Sequence, residues 1–316
     1  MNGRGLRLFA VLSLAIALAI GASIIPQAQQ KPYTVCSDIP WDPFEMVTTQ
    51  ASGQAQYFGF DLDVMRAIAI VEGYEVKIQN LAFDSIIPAI GAGKCDIGAS
   101  GFTITAEREK VVDFSNPYYL SNQAVVIRKD SGLNVVTALN GMGPTKTIGA
   151  QRGTTGADWV QTNLIDKGIP VKLNLYETYP LAILDLVNKR IDAVIQDEPA
   201  SKASVASFPK DLTVAGILMT YEYFGFNVAE GDPQGLLSKI NKGMAQLGLQ
   251  DVKTAAGWDL RVSPNTPWDD LMTAYFGPSS DTIEAAWLAC KDKLLSATDM
   301  DGIADYASCM ATEVSK

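Results

Sequence analysis

Residues 95–119 read CDIGASGFTITAEREKVVDFSNPYY, and this stretch decides the fold. It begins with a predicted strand over Asp96–Ser100, and a short helical turn carrying Arg108 follows Thr105. Helix N-termini disfavour cations because their free N–H groups carry partial positive charge, so Arg108, three positions past a Thr105 cap, is expected to bind an anion. A guanidinium matches a carboxylate, and the hydroxyls of Thr103 and Thr105 can complete the coordination. A solvated arginine on a surface helix is the alternative.

Around this stretch, strand and helix patterns alternate, and the same order occurs twice. Alternating strands and helices indicate parallel βαβ units, and two sets indicate two α/β lobes. The first set is Tyr33–Ser37, helix Asp61–Ile70, Tyr74–Asn80, helix Phe83–Gly91 and the Cys95 strand; the second is Thr147–Gln151, helix Thr155–Ile165, Val171–Tyr176, helix Leu181–Val187 and Ile191–Gln196.

Two crossings between the lobes are predicted, near Tyr119–Ile127 and Met219–Phe226, followed by a helix over Pro233–Leu247. Two crossings leave a cleft, and ligands of open parallel sheets lie beyond the carboxyl ends of the strands. Polar residues follow four of the predicted strands: Asp38, Thr103 to Arg108, Gly153 to Thr155, and Asp197. Their convergence predicts a binding site in the cleft.

Each of these residues also has a structural interpretation. Thr154 and Thr155 can simply cap the following helix, and Asp197 can cap the next one. Trp41 and Phe83 are core aromatics by default. Trp41 nevertheless lies in the turn-rich sequence PWDPF, which favours a position on the cleft wall.

Composition excludes several classes of protein. The 316-residue chain is long enough for two domains, and its net charge of -10 argues against a nucleic-acid partner. It contains no histidine, which excludes His-based zinc sites and removes the commonest general base. The turn at residues 299–302 lacks the remaining ligands of an EF-hand. We therefore expect no metal, no other cofactor and no enzymatic activity.

The N-terminus is predicted to direct the chain out of the cytoplasm. Arg4 and Arg7 precede an uncharged run over Leu8–Ile25, closed by Pro26. A run of this length is long for a cleavable signal and short for a membrane span. Residues 1–30 are therefore read as a signal peptide or an N-terminal anchor, and both alternatives stay open.

Four segments resemble the bacterial extracellular solute-binding proteins of family 3, the amino-acid-binding components of ABC importers. They are GFDLDVMRAIA at 59–69, FDSIIPAIGAGKCDIGASGFTITAEREKVVDFSNPYY at 83–119, GAQRGTTG at 149–156 and RIDAVIQDEPA at 190–200. The resemblance implies a two-lobe type II periplasmic binding fold that closes on one amino acid and passes it to a permease. Lobe one would comprise 31–122 and 224–278, and lobe two 123–223.

The resemblance also implies roles for individual residues. Arg108 with Thr103 and the Thr154-Thr155 pair would hold the α-carboxylate, while Asp197 and the Gly101 carbonyl would take the α-ammonium. Positions that read the side chain are Asp38, Trp41, Phe83 and Gln151. The carboxylate of Asp38 disfavours acidic ligands and favours polar or basic ones, unless Arg152 points inward and neutralises it.

The C-terminal region departs from the family pattern. Residues 248–267 are interpreted as an insertion, and 279–316 as a helical hairpin of Asp281–Ser296 and Asp301–Val314. Cys290 and Cys309 lie at comparable distances from its turn and are predicted to form a disulfide. Cys36 and Cys95 are predicted to stay buried and reduced.

Three functions remain possible. The first is an extracytoplasmic binding protein for an importer, which accounts for the export signal, the two lobes and the site. The second is an amino-acid sensor anchored through residues 8–25. The third is a dehydratase-like enzyme on the same scaffold, which would need a general acid in the cleft with no charged partner.

Overall fold

The computed structural model describes residues 31–49, 53–141, 144–255 and 257–316. The predicted export segment, residues 1–30, lies outside these ranges. Within them, no helix combines the length and the apolar composition needed to cross a membrane. Pro32–Lys316 forms one unit, which contains two five-stranded sheets.

The first sheet contains, in strand order, β4 (Val76–Asn80), β1 (Tyr33–Ser37), β5 (Ile97–Gly98), β12 (Asn227–Ala229) and β6 (Val112–Phe114). Strand β1 runs parallel to β4 and β5, whereas β12 runs antiparallel to β5 and β6. Because β1 lies between two parallel neighbours, most of its side chains are buried. A separate hairpin pairs β2 (Met46–Thr49) with β3 (Ala55–Phe58).

The second sheet contains, in strand order, β11 (Leu212–Phe224), β7 (Tyr119–Arg128), β10 (Ala193–Asp197), β8 (Lys146–Gln151) and β9 (Val171–Tyr176). Its parallel core consists of β8, β9 and β10, and β7 and β11 are antiparallel additions at one side. Alternation of strand and helix between residues 146 and 197 produces this parallel core, as the sequence predicts.

The helices cover the sheets and form the C-terminal extension. Their apolar residues recur at helical spacing, so each presents one buried face. The α-helices are α1 (Phe60–Val71), α2 (Phe83–Gly91), α3 (Val135–Leu139), α4 (Thr155–Val160), α5 (Tyr179–Val187), α6 (Glu198–Ser207), α7 (Leu236–Leu247), α8 (Pro267–Tyr275), α9 (Ser280–Ser296) and α10 (Met300–Glu313); a π-turn over Gln161–Ile165 extends α4.

The two segments predicted to cross between the lobes are β7 and the end of β11. They pair with each other antiparallel, with Glu222 opposite Ser121 and Phe224 opposite Tyr119. The register is broken between Leu218 and Glu222, where Tyr221 has a φ of 52°. After β11 the chain re-enters the first sheet through β12. This path leaves the two sheets joined by paired strands at one side of a cleft.

The α/β fold class and the C-terminal helical hairpin are confirmed. Residues 249–254 and 257–262, in the predicted insertion, form an antiparallel β-hairpin. Helices α9 and α10 begin and end within about one residue of the predicted bounds. The predicted strand over Asp96–Ser100 is much shorter, however, because only Ile97–Gly98 makes ladder hydrogen bonds.

The helical hairpin is fastened to helix α1 by a buried acid. Asp63 is fully buried, and its Oδ2 accepts hydrogen bonds from the hydroxyls of Tyr275 and Tyr306, each at 2.5 Å. Its Oδ1 pairs with Arg66 at 2.6 Å. Beside it, the ring of Trp287 stacks on Phe58 with the centroids 4.6 Å apart. The extension therefore buttresses the first sheet.

The cysteine pairing corrects one prediction. Cys290 and Cys309 form the expected disulfide, but Cys36 and Cys95 are also bonded, with 5.8 Å between their Cα atoms. Both cysteines are buried, as predicted, but the prediction that they stay reduced was wrong. Cys95 lies two residues before β5 and not within a strand. Because β5 pairs with β1 in parallel, with Gly98 opposite Cys36, the residues that precede β5 lie next to β1, and Cys95 reaches Cys36 from there. A pairing across 59 residues of sequence is fixed by sheet topology, which spacing does not reveal.

Candidate functional site

The ten residues predicted to form the site line one cavity between the two sheets. Loops after β1 and β5 and the start of α2 supply the first sheet's share, and the ends of β8 and β10 with the starts of α4 and α5 supply the second sheet's. The lining contains Asp38, Trp41, Phe83, Gly101, Thr103, Arg108, Gln151, Thr154, Thr155 and Asp197, together with Ser100 and Tyr179, which were not predicted. Sequence reasoning missed Tyr179 because it opens a predominantly apolar helix, where an aromatic residue is expected to pack in the core.

Arg108 is held in place by aromatic rings and backbone carbonyls. Its guanidinium lies 5.4 Å from the ring centroids of both Phe83 and Phe102, which stack on each other. It donates to the carbonyl oxygen of Thr103 at 2.8 Å and, across the cleft, to that of Gly153 at 3.0 Å. The charges of Asp158, Glu222 and Asp197 act on it, but among the described residues its hydrogen bonds go to neutral carbonyl oxygens and no acid forms an ion pair with it. The group is therefore available to an anion, and Phe83 supports it as well as lining the cavity.

Gly101 is required by its surroundings. It has a φ of 54°, and a Cβ at this position would overlap the ring of Trp41. Its N–H donates to Oδ2 of the buried Asp61 at 2.9 Å, and the hydroxyl of Tyr118 donates to the same oxygen. These bonds fix the orientation of the peptide at Gly101. Trp41 itself stacks on Phe44 and is 8% exposed, so it is both a core aromatic and a wall of the cavity.

Asp38 lies at the side of the cavity predicted to read the ligand side chain. It is 5% exposed and accepts a hydrogen bond from Nε2 of Gln151 at 2.6 Å, across the cleft. Its pKa is raised to about 6, mainly by burial and to a smaller extent by the charges of Asp84 and Glu177. The hydrogen bond from Gln151 acts in the opposite direction. Arg152 pairs with Asp84 at 3.7 Å and is more than half exposed. It does not point inward to neutralise Asp38.

Thr154 has the structural role that its sequence context suggests. It is the N-cap of α4, accepts from the N–H of Ala157 at 3.3 Å and donates its own proton to the carbonyl oxygen of Gln151 at 2.8 Å. Its hydroxyl also lies 3.1 Å from the hydroxyl of Tyr179. The neighbouring Thr155 hydroxyl turns instead toward Thr103, at 3.3 Å across the cleft.

Asp197 does not cap the helix that follows it. It occupies the N-cap position of α6, but its side chain makes no capping hydrogen bond. The side chain is 6% exposed, and its Oδ1 is buried without a partner. Burial and the nearby charge of Glu222 raise its pKa to about 8, while hydrogen bonds from Ser121 and Gln123 oppose the shift. Such a carboxyl is ready to be stabilised by a cation.

Glu222 is a second acid that the predictions missed. It lies on β11 just past the break in register and is 8% exposed. Its carboxylate accepts hydrogen bonds from the hydroxyls of Thr103 and Thr155. The signal in the sequence was a charged residue inside the apolar run LMTYEYFGF at the predicted crossing.

The cleft is closed in this structure. Hydrogen bonds join the sheets from Arg108 to Gly153 and from Gln151 to Asp38. The enclosed space is about 20 Å³, little more than one water molecule requires. An amino acid can enter only if these contacts separate and the groups re-form around it.

Known proteins share both the sequence pattern and the fold. The family model of the bacterial extracellular solute-binding proteins, family 3, matches residues 33–254. ABC transporter arginine-binding protein 1 of Escherichia coli is 32% identical over 238 residues, which cover 74% of this chain and 90% of that protein. A probable histidine-binding protein of Neisseria gonorrhoeae is 31% identical, covering 64% of this chain and 73% of its own.

Among solved structures, an ancestral arginine-binding protein bound to arginine aligns with a TM-score of 0.64 and 30% identity, covering 79% of this chain and all of its own. The matched segment includes every predicted ligand-binding residue and ends before the C-terminal helical hairpin. The chain belongs to the bacterial extracellular solute-binding proteins of family 3.

Proposed function

We propose that this protein binds one free amino acid between its two sheets, with arginine as the preferred ligand, and delivers it to the permease of an ABC importer. The observation that carries the choice of ligand is Asp38. It is buried, its hydrogen-bond partner is the neutral amide of Gln151, and the charges that act on its pKa belong to the acids Asp84 and Glu177. A cationic side chain would compensate this carboxylate, whereas glutamate or aspartate would be repelled.

The charges around the cavity support the same ligand. Asp38 and Asp197 line it and Glu222 adjoins it, against the one guanidinium of Arg108 among these groups. The α-amino and α-carboxyl groups of any amino acid cancel, so a third charge, on the side chain, is needed to offset the excess of acid. Two relatives are named as arginine-binding and probable histidine-binding, and of these two ligands arginine carries a full side-chain charge at neutral pH.

Each end of the ligand has a place in this proposal. Arg108 would take the α-carboxylate, in line with the family resemblance, and Asp197 with the Gly101 carbonyl would take the α-ammonium. The side-chain guanidinium would reach Asp38, displace the amide of Gln151 and stack on Trp41.

We further propose that the sheets belong to two lobes that open and close about the paired strands β7 and β11. Lobe one would be residues 31–122 and 224–278, lobe two 123–223, and the extension 279–316. Hinge closure around a ligand is an established behaviour of periplasmic binding proteins. X-ray scattering should show a smaller radius of gyration with saturating arginine than without it, and an unchanged radius would argue against the hinge.

The test of the ligand compares arginine with citrulline, its neutral isostere. In a thermal-shift screen of all twenty amino acids, arginine should give the largest stabilisation, since a ligand at a hundred times its Kd adds about 2.7 kcal/mol. Calorimetry should show that citrulline binds at least about tenfold more weakly than arginine to the wild type. In Asp38→Asn that preference should disappear. Tighter binding of glutamate or aspartate than of arginine would refute the proposal.

We infer that the protein is not an enzyme. A dehydratase-like reaction would need a protonated carboxyl as general acid, and Asp197 is the buried candidate. The ammonium of a bound amino acid would favour loss of that proton, so binding removes the acid. Arginine incubated with the purified protein should be recovered unchanged by NMR.

The protein is also proposed to act outside the cytoplasm, with residues 8–25 as a signal or an anchor. Mass spectrometry of the N-terminus of the exported protein distinguishes the two. The alternative of an anchored sensor requires the uncleaved form.

A further inference from the structure

Glu222 adjoins the cleft without lining it. Its carboxylate Oε2 accepts from the Thr103 hydroxyl, which belongs to the first sheet's side, at 2.9 Å. It also accepts from the Thr155 hydroxyl, on the second sheet's side, at 2.5 Å. One buried carboxylate thus contacts the hydroxyls of two cavity-lining threonines from behind.

Hydrogen-bond arithmetic gives this contact a consequence for the ligand. A threonine hydroxyl has one proton to donate and two lone pairs that accept. The two threonine oxygens lie 3.3 Å from each other, farther than either lies from Glu222, and bonds to an ionised acceptor are the stronger ones. Both protons therefore go to Glu222. Toward the cavity, the two hydroxyls offer lone pairs alone.

Arg108, which the proposal assigns to the carboxylate, is a donor beside Thr103, but the groups around Asp197 are acceptors. Asp197 presents a buried, unpaired oxygen, and the N–H of Gly101 is already bonded to Asp61. Gln123 donates its amide to the Thr155 oxygen at 3.4 Å, which occupies one lone pair and leaves the other. Once Asp197 has lost its proton, a ligand group placed here meets acceptors, so it must be a donor with several protons.

We propose that Glu222 sets the polarity of the ammonium end of the cleft, because it takes both threonine protons and so turns the two hydroxyls into acceptors for the ligand's α-ammonium. The inference rests on the proposed binding of an amino acid and assigns a positioning role to a residue that does not itself line the cavity. It also moves the hydroxyls of Thr103 and Thr155 from the carboxylate, where the family resemblance puts them, to the ammonium.

The experiment uses three ligands that differ at one end. Arginine has both α-groups, agmatine lacks the carboxylate, and 5-guanidinopentanoate lacks the ammonium. Both threonine protons go to the single atom Oε2, which an amide oxygen could replace, so the variant is Glu222→Leu, which removes the acceptor and leaves both protons free to turn toward the ligand. Thr155→Val is the second variant, since it removes one of the two acceptor hydroxyls and leaves Glu222 in the sequence. Glu230→Leu, the same change at an exposed acid beyond the site, is the matched control.

Calorimetry should show arginine and agmatine weakened at least about tenfold by Glu222→Leu, with 5-guanidinopentanoate changed less than about twofold. Thr155→Val should give the same pattern, and the control should leave all three unchanged. An equal loss for all three ligands would mean that Glu222 is structural and would overturn the inference. Tighter binding of arginine and 5-guanidinopentanoate would also overturn it, because Glu222 would then compete with the carboxylate.

Failure of the proposed function gives a different result. If the wild type binds another amino acid rather than arginine, the choice of ligand is wrong, and the same comparison is made with that amino acid and its deamino analogue. The inference concerns the α-amino group, which every amino acid shares. Binding of no amino acid at all would overturn both proposals.

Discussion

Ligand affinity should rise with pH across neutrality, because Asp197 must lose a proton to bind an ammonium. Burial and Glu222 raise the pKa of Asp197 to about 8, so at pH 7 the carboxyl of the unliganded protein is mostly protonated. The bound ammonium stabilises the carboxylate form. Binding at pH 7 therefore releases a proton, and raising the pH favours the complex.

The magnitude follows from the ionised fraction of Asp197 in the unliganded protein. With a pKa of about 8, that fraction is about 3% at pH 6.5 and about 24% at pH 7.5, so affinity should rise about eightfold over this unit. Above pH 8 the rise should level off. Below pH 6 the affinity for a cationic side chain should fall more steeply, since Asp38, with a pKa of about 6, is then protonated as well.

Isothermal titration calorimetry of arginine from pH 6.5 to 8 measures this rise, and two buffers of different ionisation enthalpy report the proton released. The matched control is Asp197→Asn, which should bind weakly and with little pH dependence over the same range. Affinity that is flat or falls between pH 6.5 and 7.5 in the wild type would refute the reasoning. It would mean that Asp197 is already ionised in the unliganded cleft or does not receive the ammonium.

Three further changes test the site and the frame around it. Arg108→Ala should weaken binding by about 2 to 5 kcal/mol with an unchanged circular dichroism spectrum, since the ligand carboxylate loses its desolvated partner; retained affinity would contradict the assignment. Asp63→Asn should lower the free energy of unfolding by about 2 to 3 kcal/mol in urea denaturation, yet leave arginine affinity intact. Replacing Cys36 and Cys95 by alanine should cost about 4 kcal/mol for their 59-residue loop, and alkylation of the native wild type should find no free thiol.

The sequence by itself determined the elements and the list of candidate ligand-binding residues. Apolar periodicity gave the helices over 83–91 and in the C-terminal hairpin closely, because these signals are local. Asp38, Thr103, Arg108, Thr154, Thr155 and Asp197 could be listed because they follow predicted strands, and the ends of parallel strands meet at one edge of a sheet. Gly101, Phe83 and Gln151 came from the family resemblance. The structure places all ten around one cavity.

Tertiary structure alone decided which groups face one another. Cys36 and Cys95 are partners because β1 and β5 are neighbours in the sheet, a relation that no local pattern encodes. Asp63 anchors the C-terminal hairpin through Tyr306, 243 residues away, and helix α8 through Tyr275.

Glu222 belongs to the same class. In the sequence it is one charge in an apolar strand, and its role depends on a break in register that turns it toward two threonines from opposite sides of the cleft. Hydrogen-bond polarity depends on which atoms lie within about 3 Å of each other. Residue order fixes which groups exist, whereas the packing of distant segments fixes where each proton points.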